Sequence, residues 1–220
     1  MNWDMLEPIF IIISIDIILG GDNAVVIALA SRNLPEHQRN KAIIIGTGLA
    51  VVSRVALTTI ALYLLAIPYL QLVGGLLLIY IAVKLLINEE ESASIKSSDS
   101  LLTAIKTIVF ADIVMGFDNV LAIAGASHGN IVLVIFGLLI SVPIIIWGSR
   151  IILKLMEKFP ILVYIGAGIL AFTAAEMILE DPHVEEWLQV IAPVVTVIPF
   201  IVVLLTVMTG YLVNKQLPEK

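Results

Sequence analysis

Asp16, Asp22 and Asn23 recur at the same spacing as Asp112, Asp118 and Asn119, each set inside an apolar run long enough to cross a bilayer. The two stretches read Asp16-Ile17-Ile18-Leu19-Gly20-Gly21-Asp22-Asn23 and Asp112-Ile113-Val114-Met115-Gly116-Phe117-Asp118-Asn119. A carboxylate at the centre of a membrane helix costs roughly 2.5–3.5 kcal/mol on insertion scales, so its presence points to a site. Four acids and two amides brought together make an oxygen-rich pocket for a cation. Such oxygens suit hard ions such as Mg²⁺, Ca²⁺ and Mn²⁺; the chain has no cysteine, and none of its histidines falls in a span. Met115, one turn after Asp112, either tilts selectivity toward Mn²⁺ or Fe²⁺ through its thioether or simply packs, the commoner role. Several negative charges in a low dielectric need metal or protons to persist. Binding of a divalent ion is therefore expected to displace protons, which makes proton-coupled exchange an expectation.

The elements that carry these residues must bring them together. On an unbroken helix, residues seven apart share a face, so Asp16 aligns with Asn23 and Asp112 with Asn119. Asp22 and Asp118 would then point about 120° away. Gly20-Gly21 followed by Asp22-Asn23 predicts a break in the first span: glycine ends one half-helix and Asp or Asn starts the next. Asp22 would sit at a positive half-helix N-terminus, and freed carbonyls would face the ion. Phe117 replaces Gly21 in the second copy, so that break is expected to be tighter or absent.

Composition sets the surroundings. Sixty per cent of the 220 residues are hydrophobic, only 14% are charged and the mean hydropathy is +1.09, which together specify a polytopic, all-α membrane helix bundle. The formal net charge of −6 carries little meaning until charges are assigned to sides, and no basic tract suggests nucleic acid. Seven apolar runs are expected to span, at about 9–30, 42–67, 69–87, 105–126, 131–150, 161–179 and 190–213. The acidic start, Met1 to Glu7, is unlike a secretory signal, so the first run is expected to be retained. Arg32, Arg39, Lys41, Lys96, Lys106, Lys154, Lys158, Lys215 and Lys220 fall beside alternate loops or in the C-terminal tail. The opposite side, with Glu180-Asp181-Pro182-His183-Val184-Glu185-Glu186, has neither Lys nor Arg. That asymmetry predicts a cell-membrane protein with its N-terminus outside and its C-terminus cytoplasmic.

The repeat extends past the acids. Ser53-Arg54 and Ser149-Arg150 keep the offset of 96, and Pro68-Gly74-Gly75 matches Pro160-Gly166-Ala167 at 92. The expected organisation is a three-helix repeat over 1–87, a flexible cytoplasmic loop over 88–104 and a second, inverted three-helix repeat over 105–179. An acidic outer loop, a seventh helix and a tail fill 180–220. Such 3+3 inverted repeats place a transport site near the midplane. Arg54, mid-span, either balances the acidic cluster and gates the pathway or pairs with helix carbonyls for packing. Glu176 is either an ion relay or, the preferred reading, part of the solvated outer edge. Arg150 and Lys84 are placed to snorkel. His37, His128 and His183 fall in loops, with structural or solvated roles. Gly46-Thr47-Gly48 reads as a small-residue helix contact rather than a ligand.

On Asp16 with Gly20-Gly21-Asp22-Asn23, and Asp112 with Gly116-Phe117-Asp118-Asn119, the chain resembles the TerC family of integral membrane proteins, named for tellurium resistance, in its short YjbE-type branch. The resemblance runs from the first helix through the seventh. It implies a seven-helix bundle, manganese export or metal supply to secreted enzymes, and metal-site roles for Asp16, Asp22, Asn23, Asp112, Asp118 and Asn119. The preferred expectation is a divalent-cation transporter, with Mn²⁺ as substrate ahead of Ca²⁺ or Mg²⁺. The alternative is a membrane partner that hands metal to exported metalloenzymes or assists the secretion machinery. A homo-oligomer is compatible with either. A tellurium-oxyanion transporter fits worst, because an anion site wants Arg or Lys where aspartate predominates. No nucleophile constellation suggests an enzyme.

Overall fold

The computed structural model describes residues 3–64, 67–87, 97–127, 130–188 and 195–216, apart from the side chains at 3–6, 19, 62, 64, 97–100, 117, 118, 121, 186–188 and 216. Every described element is an α-helix. The helices gather into two compact units, one from residues 1–66 and 96–155, the other from 67–95 and 156–220. Each unit therefore draws on both halves of the chain.

The first unit begins with α1 (Trp3–Leu19) and α2 (Gly21–Ser31), two pieces of one apolar run bent by 48° at Gly20. The expected break is present. A Cβ on Gly20 would collide with the carbonyl oxygen of Asp16, so the turn tolerates no side chain there. Pro35 leads into α3 (Glu36–Thr59), and a short α4 (Ala61–Leu64) follows it after Ile60. α6 (Ser97–Ala126) runs unbroken through the second acidic motif, as the loss of the second glycine predicts. Its opening turns correct one expectation: residues 97–104 are helical rather than loop. Ser97 to Ser100 supply polar starting residues ahead of the apolar run. Residues 88–96 lie outside the described residues. α7 (Ile131–Lys158), which carries Pro143, belongs to this unit as far as Leu155.

Packing rather than water expulsion holds such helices together in lipid, so small residues and interdigitated branched side chains matter most. Ile12 of α1 meets Ile123 of α6 and Leu133, Val134 and Leu138 of α7. A Cβ on Gly137 would run into the Ile12 side chain, which explains a glycine on α7 there. A second cluster joins Ile27 of α2, Ile43 of α3 and Ile108 of α6. Gly46 lets α3 approach Ile108 closely, since an added Cβ would lie 3.0 Å from its side chain. Leu34, Ala42 and Ala104 form the third.

The second unit contains α5 (Leu70–Leu86), α8 (Ile161–Leu179), α9 (Pro182–Leu188) and α10 (Ile198–Gln216). Asp181, 1% exposed, caps two helices at once. One of its carboxylate oxygens accepts the His183 N–H (3.0 Å) at the start of α9, and the other accepts the Leu72 N–H (3.2 Å) at the start of α5. Tyr69, the one described non-glycine residue with positive φ (59°), stacks at 4.4 Å on the His183 ring.

Among the described residues α3, α7, α8 and α10 are long and apolar enough to cross a membrane, and the bent α1–α2 pair makes a fifth if it is one span. Bulky apolar side chains such as Phe10, Tyr63, Trp147 and Leu204 face outward, as a lipid-facing surface requires.

Candidate functional site

Four helices of the first unit converge on one buried polar cluster. Asp16 arrives near the C-terminal end of α1, Arg54 from α3, Asp112 from the middle of α6 and Ser141 from α7. The Arg54 guanidinium bridges the two acids, donating from Nη1 to Asp16 Oδ1 and from Nη2 to Asp112 Oδ1. Ser141 donates to the other Asp16 oxygen, and its hydroxyl also lies 3.0 Å from the Leu138 carbonyl. Side-chain exposure is 2% for Asp16, 4% for Arg54 and 11% for Asp112, so the charges are shielded from solvent. The equivalent first acids of the two motif copies are thus joined through a single arginine.

Such an ion triad is expensive to bury unless it is fully paired. Two carboxylates against one guanidinium leave one negative charge uncompensated. A cavity of about 20 Å³ opens beside the triad, large enough for about one water-sized occupant. Asp16, Asn23, Thr47, Arg54 and Asp112 line it, together with Ile27, Ile108 and Ile145. Several polar atoms of these residues are buried without a hydrogen-bond partner: both side-chain atoms of Asn23, the Thr47 hydroxyl and Arg54 Nε. Each such group costs roughly 1–3 kcal/mol if left unsatisfied, so the cavity is chemically prepared for an occupant.

The expected residues separate under this geometry. Asp16, Asn23, Asp112 and Arg54 come together. Asp22 stands in the first turn of α2, as the break predicted, and its Oδ1 accepts its neighbour's Asn23 N–H at 2.9 Å. Asp22 does not line the cavity. Asn119 is buried with its Nδ2 unpaired, also off the cavity wall. The Asp118 side chain lies outside the described residues, although its backbone continues α6. Met115 is buried and does not line the cavity. Glu176 is exposed on α8 and does not line the cavity. Among the described residues no three His, Asp or Glu side chains assemble. Arg54 pairs with the acids rather than with helix carbonyls.

Two residues escaped the sequence reading. Ser141 is a lone hydroxyl in an otherwise apolar stretch, just before Pro143, and that isolation was the available signal. Thr47 was assigned to a helix contact. Gly46 makes that contact, while Thr47 lines the cavity and its hydroxyl is buried without a hydrogen-bond partner.

Comparison with known proteins agrees with the motifs. The pattern of the integral membrane protein TerC family matches residues 1–217. The membrane protein YjbE of Bacillus subtilis is 50% identical over 210 residues, covering 96% of each chain. The inner membrane protein YgdQ of Escherichia coli K12 is 28% identical over 190 residues, 77% of this chain and 80% of that one. YkoY of Bacillus subtilis is 26% identical over 173 residues, 69% of this chain and 53% of its own. No solved structure matches the chain. The chain therefore belongs to the TerC family of integral membrane proteins.

Proposed function

We propose that the protein transports a divalent metal cation across the membrane, with manganese as substrate and export as direction, through a seven-span bundle of two inverted repeats. The observation that carries this reading is the pairing of Asp16 and Asp112 across one buried arginine, beside a cavity with unpaired amide and hydroxyl groups. Charge balance supports a doubly charged substrate. A divalent ion held by both carboxylates leaves their combined charge at zero, whereas one guanidinium leaves a negative charge over. In the state seen here Arg54 stands where that ion would bind, and a proton on the pair would complete neutrality. Loading the ion then releases the arginine's contacts and the proton together, which couples metal movement to proton movement. The all-oxygen chemistry of the pair suits Mn²⁺ as it does Mg²⁺ and Ca²⁺, and the resemblance stated from the motifs is what makes Mn²⁺ the preferred substrate in this reading.

The test is Mn²⁺ uptake into proteoliposomes holding the purified protein. Asp16→Asn and Asp112→Asn are each expected to lower the initial rate by more than about tenfold, the scale seen when even outer groups of metal sites are lost. Undiminished uptake in both variants would remove the reading.

A further inference from the structure

Threonines in these helices have a regular habit. Thr58, Thr59, Thr107 and Thr209 each donate to the carbonyl four residues back, at 2.7, 2.8, 3.0 and 2.7 Å. Thr47 sits mid-α3 with the same opportunity and does not take it: its hydroxyl is buried, 3% exposed as a residue, and has no hydrogen-bond partner. It lines the cavity two turns before Arg54, on the same face of α3. Asn23 lines the same cavity from α2, 4% exposed, with its carboxamide oxygen and nitrogen also unpaired.

We infer that Thr47 Oγ1 and Asn23 Oδ1 are the neutral oxygen ligands of the cavity and take the partly dehydrated divalent cation, while Asp16 and Asp112 supply its compensating charge. Thr47 is a ligand position that the repeat itself conceals. At the offset of 96 its counterpart is Pro143, which has no side-chain oxygen, so the Thr47 hydroxyl has no equivalent in the second repeat. Mixed neutral and charged oxygens favour a hard divalent ion, because a doubly charged ion needs more than two donors and the pair alone cannot fill its shell. The inference rests on the cation-transport reading above and adds ligands to it.

The test is Mn²⁺ binding to the purified protein in nanodiscs, read from the loss of the free-ion electron paramagnetic resonance signal, with thermal unfolding measured in parallel. Thr47→Val keeps the side-chain shape and removes only the hydroxyl. It is expected to weaken binding by about tenfold or more, with an unchanged or higher unfolding temperature because the fold loses no hydrogen bond. Thr47→Ser restores binding to within about twofold of the parent, on the same scale. Asp16→Asn abolishes binding and serves as the reference. If Thr47→Val binds like the parent while Asp16→Asn does not bind, Thr47 is no ligand and the transport reading stands. If Thr47→Val unfolds at a markedly lower temperature, its hydroxyl is structural and the inference also fails. Parent-like binding by Asp16→Asn would overturn the transport reading and this inference with it.

Discussion

Arg54 is the one cation paired with Asp16 and Asp112 among the described residues, so its removal probes the charge balance of the site directly. Breaking a buried ion pair by deleting one partner costs about 3–5 kcal/mol, because the remaining charges stay buried and uncompensated. Arg54→Met is therefore expected to lower the unfolding temperature of the metal-free protein. Added Mn²⁺ should recover most of that loss, since it replaces the missing positive charge between Asp16 and Asp112. The same variant should bind Mn²⁺ more tightly than the parent, whose arginine competes. Titrating Mn²⁺ while following unfolding measures both; a variant destabilised with no recovery on metal would make Arg54 a strut. At this scale the sequence was half legible. Intramembrane charges announce themselves by their cost, which is why Asp16, Asp112 and Arg54 could be read directly. Neutral hydroxyls carry no comparable signal: Thr47 and Ser141 look like any packing residue until a cavity and a partner are in place. Asp22 was equally prominent in the sequence, and the structure puts it at the start of α2 rather than on the cavity wall. An acid at a helix start has a local job, and Asp22 accepts a backbone N–H in its own turn.

At the scale of the element, the interrupted first span distinguishes the two motif copies. Gly20 and Gly21 look interchangeable in sequence, yet the backbone separates their duties. A methyl at Gly20 meets the Asp16 carbonyl, while nothing lies within 4 Å of one at Gly21. Gly20→Ala is expected to push α1 and α2 apart at their hinge, an overpacking cost of about 1–3 kcal/mol that displaces Asp16 from Arg54. Its Mn²⁺ uptake should fall by about tenfold, on the energy scale of such overpacking. Gly21→Ala, in the first turn of α2, should transport normally and unfold slightly later, because alanine is the better helix former. Equal effects of the two substitutions would assign the hinge elsewhere. Some helix positions were legible, as in the match of the 161–179 run with α8, whereas the expected 42–67 run divides into α3 and α4 and the expected acidic outer loop holds the helix α9. The early start of α6 was not, because a polar serine-rich lead reads as loop until the helix behind it is anchored.

For the whole molecule, the placement of basic residues makes a claim about sidedness that chemistry can check directly. The chain contains no cysteine, so a single introduced thiol reports alone. Asn33 and Glu185 are both exposed. In intact cells a membrane-impermeant maleimide is expected to label Glu185→Cys and to spare Asn33→Cys until the membrane is opened. The reverse pattern would invert the proposed orientation and with it the direction of export. The two compact units were not legible from the chain order. Hydropathy marks where helices lie but is silent on which of them pack together, and each unit takes members from both halves.

The double cap at Asp181 has a consequence for biogenesis. The ribosome completes α5 long before residue 181 exists, so the amide at the head of that helix waits through the synthesis of α6, α7 and α8 for its acceptor. Such a late-arriving contact raises the separation between partners that must meet, which slows assembly. The second unit is thus finished from its far end. Until then its earliest helix, α5, lacks α8 and α10, the helices it packs against.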